Sequence, residues 1–218
     1  MARWLALLCL LCVSPALLAG TPTRIVSLTP HLTELLFAIG AGDRIVATDD
    51  ASDYPPEVKR LPQVANYRSI NLEALLAQKP DLIVAWRSAQ SRMLAPVEQL
   101  GFPVFYSEPT DFASLATEMR ALGKKLGVEQ TANAEADAYL ARLAALGQRY
   151  GKPKHIKVFY QLWYPPLTSV SGNAWPAQAI ELCGGENVMA AARTPYPQVS
   201  LEQVIKANPA DRKSTRLN

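Results

Sequence analysis

From Thr21 onward the chain alternates short, unbroken apolar runs with stretches whose apolar residues recur every three or four positions. "RIVSL" (24–28), "RIVAT" (44–48), "DLIVAW" (81–86) and "PVFYS" (103–107) carry apolar side chains on successive residues. Runs of this kind read as strands buried on both faces, which is the situation of a parallel sheet covered by helices. Between them lie "HLTELLFAIG", with Gly40 where a helix C-cap belongs, and "NLEALLAQK", with Asn71 as its N-cap. A further helical stretch, "AQSRMLAPVEQLG", is expected to be interrupted or kinked at Pro96. Strand, helix, strand in this order predicts an α/β fold built on a mainly parallel sheet.

The pattern changes at Asp111. Residues 111–150 give no strand signal and read as two helical stretches parted near Gly127. The second holds about 20 residues and spans about 30 Å at 1.5 Å per residue, long enough to act as a rigid strut. Strands then resume with "HIKVFYQLW" (155–163), followed by a helix ending at Gly184-Gly185 and by "SLEQVIKANP" (200–209). The last phrase repeats "NLEALLAQKP" (71–80): Leu-Glu, an apolar pair, then Pro. The chain thus reads as two α/β lobes, 21–110 and 151–209, joined by a helical linker, 111–150. The repeat breaks down after the proline. Pro80 leads into "DLIVAW", whereas Pro209 leads into "ADRKSTRLN", which has three cations and no apolar run. Residues 210–218 are therefore expected to be a non-native tail, with the C-terminal lobe truncated.

Residues 1–20 stand apart. One cation, Arg3, precedes an apolar run over 4–13 and then Ser-Pro and small residues, the pattern of a secretory signal peptide cleaved after Ala19 or Gly20. The run is short for a membrane span. Export to an oxidising compartment leaves Cys183 as the one cysteine of the mature chain. It is either a small buried apolar residue or half of a bridge to sequence not present. The 49% apolar and 19% charged content argues against disorder. A net charge of +3, without a cationic helix face, gives no nucleic-acid signal.

Catalytic chemistry finds little support. The two histidines are His31 and His155, no cluster has zinc spacing, and no nucleophile elbow or phosphate loop is present. His155 reads as solvated or structural. His31 follows the first strand, where it either caps the next helix or approaches a bound metal centre. Aromatic residues are the more informative signal: Tyr54, Tyr67, Trp86, Trp163, Tyr164, Trp175 and Tyr196 fall at strand ends or in Pro-flanked loops in both lobes. The carboxyl ends of parallel strands form the ligand crevice of such lobes. Any one ring could simply close its own core, but the recurrence favours a large flat ligand and predicts binding rather than turnover.

"RIVSLTPHLTELLFAIGAGDRIVATDDASDYPPEV", "NLEALLAQKPDLIVAWR" and "ELCGGENVM…PYPQVSLEQV" resemble the cobalamin-binding branch of the helical-backbone (class III) periplasmic binding proteins that serve ABC importers. The resemblance covers nearly all of residues 24–209. Its "SLTPHLTELLFAIG" opening is shared with relatives that bind haem, siderophores or metal ions. It implies a monomeric periplasmic carrier without a cofactor of its own. Cobalamin would sit between two lobes that close little and be delivered to a permease dimer. Trp86 matches a ligand contact as it stands. Tyr67 and Tyr196 stand where tryptophans are familiar, and Ala51 stands in place of a tyrosine. Leu162 and Leu167 replace phenylalanines, with Trp163 available to fill that space. Glu73 and Glu202 match the pair that meets arginines of the permease, although a first-turn glutamate also suits the helix macrodipole by about 0.3–1 kcal/mol. The resemblance further implies an apolar strand after Pro209 and a partner for Cys183 beyond it. A haem or siderophore carrier, with Tyr54 or His31 as axial ligand, and an exported α/β hydrolase are the alternatives.

Overall fold

The computed structural model describes residues 20–152 and 156–214. The signal-peptide reading of residues 1–19, with Cys9 and Cys12, and the reading of His155 lie outside the described residues.

A five-stranded parallel sheet has the order β3-β2-β1-β4-β5. Its strands are β1 (Ile25–Ser27), β2 (Ile45–Asp49), β3 (Gln63–Ala65), β4 (Leu82–Trp86) and β5 (Val104–Ser107). Alternate residues of β4 serve opposite faces, as the pleat requires. Leu82 and Val84 join Ile25, Leu36 and Leu122 in one core, while Ile83 and Ala85 join Val26, Leu75 and Leu94 in the other. All four residues are buried, which is why the run is apolar without alternation.

The helices on this sheet follow their local signals. α1 (Pro30–Ala38) begins on a proline and ends before Gly40 at φ +80°. α2 (Leu72–Ala77) is capped by Asn71, whose side chain accepts from the Ala74 amide at 3.0 Å. α3 (Arg87–Gln99) runs through Pro96 without interruption. α4 (Phe112–Leu126) opens on an Asp111/Ser114 capping box and ends at Gly127, φ +65°. The strut is α5 (Glu129–Tyr150), whose 22 residues span about 33 Å. Among the described residues no helix is long and apolar enough to cross a membrane.

A second parallel sheet has the order β7-β6-β8. It comprises β6 (Ile156–Gln161), β7 (Gly185–Asn187) and β8 (Asp211–Ser214), with α6 (Trp175–Leu182) and α7 (Leu201–Ala207) in the connections. The repeated phrase folds twice alike. Asn71 and Ser200 cap through their side chains, and Leu75 and Val204 are buried. Lys79 and Asn208 both take φ +48° ahead of the proline, and a parallel strand follows. Asp81 donates its amide to the Arg24 carbonyl, and Ala210 donates to Lys157 in the corresponding place.

After Pro209 a short strand forms without an apolar run. Asp211–Ser214 pairs along β6 from Val158 to Gln161. An edge strand is held by backbone hydrogen bonds and needs no apolar run, and Asp211 is exposed. Cys183 is likewise exposed and unbridged, so it is not a buried apolar filler.

The strut depends on a close approach. A Cβ on Gly123 of α4 would lie 2.2 Å from the Ala132 Cβ of α5. Gly123→Ala is expected to lower stability by about 1–3 kcal/mol in urea unfolding, because the overpacking outweighs alanine's better helix propensity.

Candidate ligand-binding site

The order β3-β2-β1-β4-β5 reverses direction at β1 and β4. The connection from β1 runs outward to β2, and the chain returns after β3 to the other side of β1. The carboxyl ends of β1 and β4 therefore flank a topological switch point, where open α/β sheets bind ligands. Gln90 of α3 ties the two ends together. Its side-chain amide donates to the Leu28 carbonyl at 2.7 Å and its oxygen accepts from the Trp86 amide at 3.0 Å. Across the same point the rings of His31 and Trp86 meet edge to face, with centroids 5.4 Å apart and planes at 83°.

A cavity of about 860 Å³ opens here. The first sheet's side supplies His31, Phe37, Tyr54 and Trp86, and the linker helices supply Leu115, Met119, Tyr139 and Arg142. Trp175 closes it from the second sheet's helix α6. That helix is fastened to the start of α4: Gln178 accepts from the Phe112 amide and donates to the Thr110 carbonyl, both at 3.1 Å. The Phe112 and Trp175 rings stack edge to face beside it at 5.2 Å.

Ser27, Thr33, Ser52 and Asp49 form a buried hydroxyl–carboxylate chain. Thr33 Oγ1 lies 2.8 Å from Ser27 Oγ and 2.9 Å from Ser52 Oγ, and Ser52 donates to Asp49. This chain pins the turn after β2, which carries Ala51 and Tyr54, against α1. Burial pushes the Asp49 carboxyl up, opposed by the Ser52 hydroxyl and the Ala51 amide. Burial lowers the pKa of His31, which keeps the imidazole neutral. His31 Nε2 and Thr29 Oγ1 are buried without hydrogen-bond partners. The reading of His31 as a helix cap is corrected: the N-cap is Thr29, with no side-chain cap bond, and His31 lies inside α1 against Trp86.

Of the ligand contacts expected from the sequence, Trp86 lines the cavity and Ala51, Tyr67, Leu162, Trp163 and Tyr196 do not. Ala51 is exposed in the turn after β2. Tyr67 is 79% exposed after β3, with the Arg68 guanidinium 4.9 Å from its ring centre. The other three are gathered by an antiparallel ribbon beyond β6. Trp163 bridges to Thr168, which bridges to Gln198, and the Ser169 amide donates to Pro197 at 2.9 Å. Trp163 and Tyr196 are about half exposed there and Leu162 is half-buried. Glu73 and Glu202 are exposed at the second residue of α2 and α7. Sequence reasoning missed Met119, Tyr139 and Arg142, whose helical spacing looks like an ordinary amphipathic stripe.

The periplasmic binding protein family matches residues 25–210. The chain belongs to that family. It is 38% identical over 191 residues to the vitamin B12-binding protein of Vibrio campbellii, covering 87% of this chain and 70% of that one. Among solved structures it is similar to the periplasmic vitamin B12 binding protein BtuF of Vibrio cholerae. The TM-score is 0.81 at 38% identity, over 90% of this chain and 77% of that one. It is also similar to the periplasmic heme-binding protein RhuT of Roseiflexus sp., with TM-score 0.77 at 28% identity, over 89% and 76%. The expected two-lobed α/β fold with a helical backbone is thus that of a periplasmic binding protein, a class that carries ligands.

His31 gives this site a pH signature. Its folded pKa lies below the free value of 6.5, so its contribution to stability is complete above pH 6.5 and is lost as pH falls through the folded pKa. Thermal melts from pH 8 to pH 5 are expected to show a fall in Tm on acidification that is smaller in His31→Gln.

Proposed function

We propose that this chain is a periplasmic carrier that captures cobalamin between its two lobes, without chemical turnover, and delivers it to an ABC importer. The observation that carries the reading is the presentation of large rings to solvent at the carboxyl ends of strands in both sheets. Tyr67 is exposed after β3 and Trp163 and Tyr196 are exposed in the ribbon beyond β6, while Trp86 and Trp175 wall the cavity. Exposed tyrosine and tryptophan at such positions are rigid contact area for a flat partner. The likeness to vitamin B12-binding proteins supports a corrinoid as that partner.

On this reading residues 1–20 direct export and are removed. Residues 21–110 and 151–209 are the two ligand-holding lobes and 111–150 is the linker. Trp86, Tyr67, Tyr196, Trp163 and Leu162 contact the corrin or its side chains, while Ala51 leaves a gap. The free protein is a monomer that needs no cofactor. Glu73 and Glu202 are the docking feet, one per lobe, for cationic side chains of a permease dimer. Exposed charges of this kind mainly set orientation and association rate.

A second reading, haem binding, is favoured by one observation: His31 is neutral, lies on the cavity wall and has an unpartnered Nε2. Titration of the full chain with cyanocobalamin and with hemin, followed by absorbance and heat, separates the two. The expected result is saturable one-to-one binding of cyanocobalamin and no Soret shift with hemin; the reverse would establish the haem reading. Trp86→Ala is expected to weaken cyanocobalamin binding at least about tenfold. Ala51→Tyr is expected to tighten it a few-fold by restoring a ring contact.

A further inference from the structure

The repeated phrase leaves a second pair of side chains besides the glutamates. On a helix, residues three apart are surface neighbours. Three residues after Glu73 comes Leu76, and three residues after Glu202 comes Ile205. Both are exposed, Leu76 by 44% and Ile205 by 75%. An isolated exposed leucine needs no explanation. This pair differs because the molecule contains its own control. Leu72 and Leu201 also occupy matching positions, yet Leu72 is half-buried against the core that contains Ile83 and Leu94, and Leu201 is 68% exposed. That difference follows the sheets, five strands against three. At Leu76 and Ile205 the exposure is common to both lobes. Meanwhile the intervening Leu75 and Val204 are buried in their own lobes.

We infer that Leu76 and Ile205 are apolar pegs that enter a hydrophobic socket on each half of the importer's permease dimer, next to the site that receives each glutamate. The inference rests on the docking role proposed for Glu73 and Glu202. Two like helices, one per lobe, each present one anion and one apolar side chain on adjoining surface. The complementary partner has two equivalent halves, each with a cation beside an apolar depression. The glutamate aligns the encounter, and its contribution weakens with salt. The peg supplies the part of the binding that salt does not screen, through apolar area removed from water.

The test uses the full chain and the permease dimer of its own ABC importer in lipid nanodiscs, with dissociation rates read by biolayer interferometry at 50 mM and 500 mM salt. Leu76→Ser combined with Ile205→Ser is expected to weaken docking at least about tenfold at both salt concentrations. Cyanocobalamin affinity and Tm are expected to stay unchanged. Glu73→Gln combined with Glu202→Gln is expected to flatten the salt dependence and leave most of the high-salt binding. Leu201→Ser, exposed but without an exposed counterpart on α2, is expected to change docking less than about twofold. Docking by the double serine variant within about twofold of the unaltered chain overturns the pegs and leaves the carrier reading standing. Failure of the unaltered chain to dock at all overturns both.

Discussion

The arrangement depends on how α5 is seated against α4. Gly123 and Ala132 meet at a distance that admits no additional carbon, and Ala132 and Ala136 are fully buried against Leu122 and Leu126. Small residues let the two helix backbones approach closely, and the long helix leaves the first lobe's core in a fixed direction. Gln178 and the Phe112–Trp175 ring pair then fasten the second lobe's α6 to the first turn of α4. The cavity between the lobes is therefore bounded by a strut, a hydrogen-bonded amide and two rings. Fastenings of this kind pre-order a site and lower the cost of ordering it on binding.

The same economy operates at the switch point. Gln90 satisfies a carbonyl at the end of β1 and an amide at the end of β4 with one buried side chain. Buried polar groups cost little only when they are paired, and the Ser27–Thr33–Ser52–Asp49 chain meets the same requirement below the turn after β2. These pairings tether the end of β4, which carries Trp86, and the turn after β2, which leads to Tyr54. The exposed rings of the second lobe are held differently, by the ribbon through Trp163, Thr168 and Gln198.

What was legible in the sequence follows from which forces write themselves into residue types. Burial on both faces made β1, β2, β4 and β5 visible as apolar runs, and the cap signals at Asn71 and Gly127 marked helix ends correctly. Strands that are very short or lack an apolar run left no such mark: "QVA", "GEN" and "DRKS" become β3, β7 and β8. Of the site, Trp86 was legible because it ends a buried strand. The wall formed by Met119, Tyr139 and Arg142 was not, since it exists only where α4 and α5 pass the end of the first sheet. His31 was placed near the crevice with two roles open, and its contact with Trp86 was not legible because it joins residues far apart in sequence.

The central claim is that one rigid frame sets aromatic faces from both lobes around a single broad ligand. The most direct measurement is a crystal structure of the chain grown with cyanocobalamin. The account predicts the corrin ring against Trp86, contacted by Tyr67 from the first lobe and by Trp163 or Tyr196 from the second. A corrinoid bound to one lobe alone, or away from Trp86 altogether, would contradict it.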